Sequence, residues 1–110
     1  MRVPDAENAE VDIRKPVDYL LNPHHATGKH KAILWSAALG IKTDHADELS
    51  TALIETVKFS EAKVGKFDRH GQRYTVDFLL EWHGKSAIIR TGWIIEHGSR
   101  IPRLTTAFPR

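Results

Sequence analysis

The hydrophobic and polar positions along the chain change their period near residue 60. Before that point, Ala46, Leu49, Leu53 and Val57 recur at the spacing of one helix face, which is the strongest helical signal in the sequence. After it, apolar residues alternate with polar ones, as in strands that bury one face of a sheet. The clearest alternation comprises Tyr74, Val76, Phe78, Leu80 and Trp82. We therefore predict an α+β fold, with N-terminal helices packed on one face of a four-stranded antiparallel β-meander.

Three helices are predicted before residue 60. The first covers residues 14–21, where Pro16 suits a first helical turn because its missing N–H would be unpaired there. The second follows a polar loop and ends at Gly40, and its apolar residues occupy much of its circumference, which predicts a largely buried helix. The third is predicted to have Thr43 or Asp44 as its N-cap. Residues 9–13 are expected to form a short strand or an extended lead-in.

Turn signals divide the second half of the chain into four strands. Residues 68–71 predict a hairpin loop, residues 83–85 a tight turn, and residues 97–100 a further turn. Pro102 is expected at the start of the last strand or on a sheet edge, where its missing N–H donor is harmless. Because the helices need an apolar surface to cover, they should pack on the face that carries Tyr74 and its alternating partners.

Composition narrows the class of protein. The chain has 110 residues, of which 41% are hydrophobic and 27% charged, and this fits one folded domain over residues 1–110. No apolar run is long enough to span a membrane, and the first residues lack the apolar core of a signal peptide. We therefore expect a cytoplasmic protein without membrane contact. The absence of cysteine excludes disulfides, thiol catalysis and cysteine-ligated metals.

The net charge of +2 is unevenly distributed along the chain. Residues 1–60 contain seven lysines and arginines against nine acidic residues, whereas residues 61–110 contain nine against five. The first segment therefore carries −2 and the second +4. This asymmetry favours an anionic partner for one face of the predicted sheet, and the alternative is an ordinary solvated surface.

Strand register predicts which polar side chains lie on the sheet face turned away from the helices. Arg90 interrupts an otherwise apolar strand, and a charge in such a position is usually paired or functional. A structural ion pair with Asp77 on the neighbouring strand is the alternative to a functional role. Guanidinium, ammonium and hydroxyl groups together would form a phosphate-binding furrow on this face. The predicted set is Lys63, Thr75, Asp77, Arg90, Arg103 and Thr105.

A second candidate site is the loop before the second helix, together with the first turn of that helix. A helix N-terminus attracts anions through its unpaired N–H groups, and histidine titrates near neutral pH, as general acid–base catalysis requires. The alternative is a polar capping loop with exposed histidines. The histidine spacing matches no zinc-ligand pattern, and no phosphate-loop motif is present, so neither a metal nor a cofactor is predicted. The basic residues of this segment are His24, His25, Lys29, His30 and Lys31.

Several segments of the chain resemble an uncharacterised bacterial domain family. They are DYLLNPHH, GKHKA, ALG, GQRYTVDF, RTGWII and PRLTTA, at residues 18–25, 28–32, 38–40, 71–78, 90–95 and 102–107. Together they span nearly the whole chain, in the order of the family pattern. The resemblance implies a relative of small stand-alone bacterial proteins and of the C-terminal tips of secreted polymorphic toxins. The predicted layout also resembles the barnase–EndoU–colicin–RelE fold of ribonuclease toxins.

This resemblance implies a toxin-type, metal-independent endoribonuclease, with RNA as substrate and an antitoxin or immunity protein as partner. Metal-free cleavage needs a base for the 2′-OH proton, an acid for the 5′-oxygen and cations around the phosphorus. Under this hypothesis His25 or His24 transfers protons, and Lys29 or Lys31 supports the phosphate from the helix start. Trp93 would stack a base only if it faced the cleft; otherwise its ring belongs to the core. Arg90 and Arg103 would together hold the non-bridging oxygens of the reacting phosphate, and Thr105 would orient one of them. His30 and Lys63 would also contact the RNA.

Two non-catalytic functions remain as alternatives at this point. One is a binding module, such as an antitoxin, an immunity protein or an adaptor, whose basic face docks on an acidic partner. The other is a protein that binds DNA or RNA without cleaving it. Geometry discriminates between these functions, because the nuclease hypothesis requires His24 or His25 to lie near Arg90 or Arg103 over an open cleft.

Overall fold

The computed structural model describes residues 1–12, 14, 19–26 and 28–110. Two helices, α1 (Lys29–Leu39) and α2 (Ala46–Val57), precede the strands. The four strands are β1 (Ala62–Asp68), β2 (Gly71–Trp82), β3 (Lys85–Glu96) and β4 (Arg103–Pro109). They lie side by side in the order β1-β2-β3-β4, and every neighbouring pair is antiparallel. The predicted α+β meander is therefore confirmed.

The N-terminal segment reaches the edge of β4. The helix predicted over residues 14–21 lies largely outside the described residues. Residues 6–8 form a short 3-10 turn that the sequence pattern did not predict. Glu10 forms a parallel bridge with Arg103, the first residue of β4, which agrees with the extended lead-in expected there. Pro102 is buried and directly precedes β4, as expected for a proline at a strand start.

Helix α2 covers the sheet with the stripe that the sequence predicted. Its side chains join those of β2 in one hydrophobic cluster, so the helices pack on the predicted face of the sheet. The buried members from the two elements are Ala46, Leu49, Leu53, Val57, Tyr74, Val76, Leu80 and Trp82. Burying one such leucine or valine side chain stabilises the fold by about 1.5–3 kcal/mol.

Helix α1 lies at the β4 side of the sheet and is less buried than predicted. The Nε1–H group of the buried Trp35 donates to the carbonyl of Ala107 at 3.2 Å, which fixes the helix to β4. Gly40 ends the helix in the left-handed conformation, with φ 68°. The prediction of a largely buried helix was wrong, because Ile33 is 60% exposed and Leu34 44% exposed. Only one side of α1 is covered by β3 and β4.

The start of α2 also differs from the prediction. Neither Thr43 nor Asp44 is its N-cap, because residues 43–45 form a 3-10 turn and the α-helix begins at Ala46. The Thr43 hydroxyl donates instead to the carbonyl of Leu21 at 3.3 Å, so it ties two loops together. The His45 Nδ1 atom accepts the N–H of Lys42 at 3.1 Å.

The predicted hairpin turns are present, and two strand irregularities are new. His83 and Gly84 both have positive φ, 47° and 83°, as in the two-residue turns that match strand twist. The register of β1 against β2 shifts between Val64 and Phe67. The register of β3 against β4 shifts next to Gly92. No helix within the described ranges is long and apolar enough to cross a membrane.

Candidate nucleic-acid interface

The sheet face turned away from the helices, hereafter the outer face, carries the polar residues that register predicted. Lys63 lies opposite Thr75, and Asp77 lies opposite Arg90. Arg103 lies on the same face, at the other end of β4. Thr105 stands at the irregularity, where its Oγ1 would be 2.9 Å from a Cβ placed on Gly92. Gly92 lies opposite Thr75, so Thr105 reaches the outer face as well.

Arg90 is held by Asp77 in a two-pronged ion pair. Its Nε and Nη2 atoms each donate to one carboxylate oxygen of Asp77, both at 2.9 Å. Arg110 donates to the same carboxylate at 3.0 Å. The hydrogen bond from Arg90 is the main cause that lowers the pKa of Asp77 below its usual value, and Asp77 in turn raises the pKa of Arg90. The structural ion pair is therefore present, and it fixes the plane of the guanidinium.

Asp77 does not balance the charge around it. Three cationic side chains, Arg90, Arg110 and Lys63, act on this one carboxylate. Two positive charges therefore remain in excess over this part of the outer face. Such an excess attracts phosphate even though Arg90 has an internal partner.

Arg103 belongs to a different part of the outer face. It is paired with Glu96 at 2.9 Å, whereas Arg90 is paired with Asp77. Arg103 lies opposite Ile94, four residues along β3 from Arg90, which corresponds to about 13 Å. The structure therefore does not bring the two arginines to one phosphate, contrary to the role predicted for them together.

The start of α1 meets the outer face beside Arg90. The Lys31 ammonium lies 3.2 Å from the Tyr19 hydroxyl and 5.7 Å from the centroid of the Phe108 ring. Phe108 is the direct strand partner of Arg90, so the two side chains share the outer face. Phe108 thus neighbours both Lys31 and Arg90, so the start of α1 lies beside this part of the outer face.

His25 belongs to the same cluster through Tyr19. The two rings pack edge to face, with centroids 5.1 Å apart. The His25 Nδ1 atom accepts the N–H of Gly28 at 2.9 Å. The cluster therefore holds the His25 ring beside Tyr19 at the start of α1.

Gly28 makes this close packing possible. A Cβ at this position would lie 2.2 Å from the Tyr19 carbonyl oxygen and 2.8 Å from the Tyr19 ring. Any side chain would therefore push Tyr19 away from the start of α1. Tyr19, Phe108 and Arg110 were not among the predicted site residues. The only local signal for Tyr19 was its position in the segment that carries His24 and His25.

The other predicted residues of the helix start are exposed to solvent. His24, Lys29 and His30 all fall in this class. The backbone N–H of His24 donates to the Asn22 side chain at 2.9 Å, which holds the loop in its turn. These side chains lie at the N-terminal end of α1, and the structure records no contact between them and Arg90.

Trp93 faces the helices and does not line the outer face. It is 1% exposed, and its Nε1–H donates to the Thr91 hydroxyl at 2.8 Å. That hydroxyl donates to the carbonyl of Val76 at 2.8 Å. Trp93 is therefore a core residue, and the stacking role that depended on its facing the cleft does not apply. Among the described residues, no group of three or more histidine, aspartate or glutamate side chains could hold a metal ion.

Comparison with known proteins identifies the fold and the family. A chain of the contact-dependent growth inhibition toxin–immunity protein complex from Klebsiella pneumoniae 342 has a similar structure, with a TM-score of 0.69 and 19% sequence identity. The similarity covers 91% of this chain and 98% of that chain, and at this identity it establishes the fold alone. No match is found among curated proteins. The family model described as "Domain of unknown function (DUF6883)" matches residues 2–110, so the chain belongs to this family.

Proposed function

We propose that the protein is a toxin-type, metal-independent endoribonuclease that acts where the start of α1 meets the outer face. The observation that carries this proposal is the position of Lys31. Its ammonium contacts Tyr19 and the Phe108 ring, and so joins the loop that carries His25 to the Arg90–Asp77 pair. The fold shared with a chain of a toxin–immunity complex supports a toxin-related role.

The proposed reaction needs only the RNA and protein side chains. The 2′-oxygen attacks the adjacent phosphorus and loses its proton to a base, while the bond from phosphorus to the 5′-oxygen breaks. The leaving 5′-oxygen takes a proton from an acid, which gives a 2′,3′-cyclic phosphate and a 5′-hydroxyl. Negative charge builds up on the phosphoryl oxygens during this step, so fixed cations accelerate it.

The residues of the surface divide these tasks. Lys31 and Arg90 stabilise the phosphoryl oxygens from two sides of Phe108, and Asp77 keeps Arg90 oriented before the substrate arrives. His25, protonated before the reaction, gives a proton to the leaving 5′-oxygen. His24, whose side chain is exposed, accepts the proton of the 2′-hydroxyl.

Other cations of the outer face bind RNA outside the reacting phosphate. Lys63 and Arg110 lie beside Asp77 and attract the neighbouring backbone phosphates. Arg103, about 13 Å along the sheet from Arg90, contacts a more distant phosphate. Thr105 lies between these positions and orients one of them.

The test is incubation of the purified protein with total RNA, with and without EDTA. We expect the same fragments in both reactions, with 2′,3′-cyclic phosphate at their newly formed ends. The absence of fragments at micromolar protein, together with normal growth of cells that express the protein, would contradict the proposal.

A second candidate function is the non-catalytic binding module. The observation that favours it is the pairing of the outer-face arginines: Arg73 with Asp68, Arg90 with Asp77 and Arg103 with Glu96. Paired arginines are usual on a stable surface that performs no phosphate chemistry. Under this function the protein leaves RNA intact in the reaction above and binds an acidic protein partner instead.

A further inference from the structure

Strand β1 is one edge of the sheet, and part of its backbone faces outward. The Ala62 N–H donates to the carbonyl of Met1 at 2.7 Å, so the backbone groups of Ala62 point away from β2. In an antiparallel pair this orientation alternates from residue to residue. The backbone N–H and C=O of Lys63 therefore bond to β2, and those of Val64 point away from β2 again. Within the described part of the chain, no strand pairs with Val64 on this side.

Two apolar side chains flank this open backbone. Val64 is 58% exposed and Phe67 is 69% exposed. They lie opposite Tyr74 and Gln72, which share the helix side of the sheet. The bulge between them therefore places both apolar side chains on that same side, although they are three residues apart. Gln72 stabilises the bulge, because its Nε2 donates to the carbonyl of Gly65 at 2.9 Å.

Three cationic residues of the sheet half lie on β1 or in the turn that follows it. Lys63, Lys66 and Arg69 are all exposed. The ion pairs that the structure describes within the sheet use other cations, namely Arg73, Arg90, Arg103 and Arg110. The three cations of this edge form none of those ion pairs, although Lys63 also lies near Asp77 on the outer face. An acidic partner would complement this charge.

We propose that the β1 edge binds an extended acidic segment of a partner protein, which adds a strand beside Val64. Main-chain hydrogen bonds would form with the outward N–H and C=O of Val64. Alternate side chains of the segment would then lie on opposite faces of the sheet. Apolar ones would cover Val64 and Phe67, and acidic ones would face Lys63. The proposal does not depend on RNA cleavage.

Other occupants fit this edge less well. A second copy of β1 in antiparallel pairing would bring lysines close to lysines, which is unfavourable. RNA bound at this edge would leave the apolar side chains of Val64 and Phe67 exposed to solvent. Lysines on an edge strand often have no role other than to prevent non-specific strand pairing. An edge protected in that way would not expose the apolar side chains of Val64 and Phe67.

The probe for this proposal is a short, end-blocked peptide of alternating glutamate and valine, added to the full chain in the absence of RNA. We expect it to slow amide hydrogen exchange at Val64, as measured by NMR, whereas the same peptide with lysine in place of glutamate has no effect. Val64→Pro removes the outward N–H without touching the pairing to β2, and it should weaken peptide binding at least about tenfold. Reversal of charge in Lys63→Glu/Lys66→Glu should do the same, whereas Lys85→Glu, an exposed lysine outside β1, should not.

Three results would overturn the proposal. One is unchanged exchange at Val64 in saturating acidic peptide. Another is equal affinity of the acidic peptide for the wild type and for the double lysine variant, which remains informative even where Val64→Pro lowers stability. The last is self-association of the chain that Val64→Pro abolishes, because that result would assign the edge to a second copy. None of these results bears on RNA cleavage, so the two proposals fail separately.

Discussion

His25 and Lys31 act together only through residues that lie far from them in the sequence. Their chemical types made them candidates from the sequence alone, since histidine and lysine at a helix start suit phosphate chemistry. Phe108, which links Lys31 to Arg90, comes from the last strand. No local pattern places that ring beside α1, because the contact depends on how the helix packs on the edge of the sheet.

Replacement of His25 by alanine tests its catalytic role. We expect the rate of RNA cleavage by His25→Ala to fall at least about 100-fold, because general acid–base groups contribute on that scale. His97→Ala is a matched control. The His97 ring also packs edge to face on an aromatic ring, that of Phe67, and also bonds to the backbone, at Asp68. Equal rates for the two variants would refute the assignment.

The Asp77 carboxylate should make stability depend on pH in the acidic range. Its pKa is lowered in the folded protein, chiefly by the hydrogen bond from Arg90. The stabilisation is therefore complete above the unfolded pKa of about 3.9 and is lost as the pH falls through the folded value. We expect the free energy of unfolding, from urea titrations, to fall more steeply below about pH 4 for the wild type than for Asp77→Asn. Parallel pH profiles would contradict this prediction.

At the scale of elements, periodicity correctly predicts the buried residues of a helix or strand when the element buries only one face. The α2 stripe and the alternation in β2 satisfy this condition, and their buried residues were predicted correctly. Helix α1 does not satisfy it. Its apolar residues are spread around the helix, and packing at the sheet edge covers one side and exposes Ile33 and Leu34. The prediction of the α2 N-cap was wrong for a similar reason, because the Thr43 hydroxyl bonds to the carbonyl of Leu21 in a distant loop.

Gly28→Ala tests how tightly the loop element must pack on α1. The added Cβ would clash with the Tyr19 backbone, so we expect a loss of stability larger than that of Gly84→Ala and a fall in RNA cleavage of at least about tenfold. Gly84→Ala is the control, because its Cβ meets nothing within 4 Å and costs only left-handed backbone strain, about 1–2 kcal/mol. Normal cleavage by folded Gly28→Ala would exclude the Tyr19 cluster from the site.

The register of β3 assigns Trp93 to the core, and Trp93→Phe tests that assignment. The variant loses the hydrogen bond to Thr91 and should lower the free energy of unfolding by about 1–3 kcal/mol, as measured by chemical denaturation. Its affinity for RNA, measured by fluorescence anisotropy at a temperature where it is folded, should equal that of the wild type. Weaker RNA binding by the folded variant would contradict the core assignment.

At the scale of the whole molecule, the sequence shows which half of the chain carries net positive charge. It does not show where on the surface that charge lies. The sequence shows a surplus of +4 over residues 61–110. Side-chain pairing redistributes it, because three arginines of the sheet are tied to carboxylates on neighbouring strands and Arg110 is tied to Asp77 on β2. The cations outside these pairs include Lys63 and Lys66 on β1. Pairing of this kind depends on register and side-chain reach, which the order of residues alone does not determine.

The fold was therefore more predictable than the site. Strand order, the turns and the buried face follow from alternation and turn chemistry, which are local. The site joins a loop, one helix turn and three strands, so its assembly depends on tertiary packing. Sequence reasoning found the other cations and the histidines but missed Tyr19, Phe108 and Arg110, and it placed Arg90 and Arg103 at one phosphate.

The central claim is that Lys31 joins the helix start to the outer face in one RNA-cleaving surface. The most direct test is the cleavage rate of a defined RNA, in the presence of EDTA, by the wild type, Lys31→Met and the control Lys66→Met. We expect cleavage by the wild type and by Lys66→Met, and a rate at least about 100-fold lower for Lys31→Met. No cleavage by the wild type, or an unchanged rate for Lys31→Met, would contradict the claim.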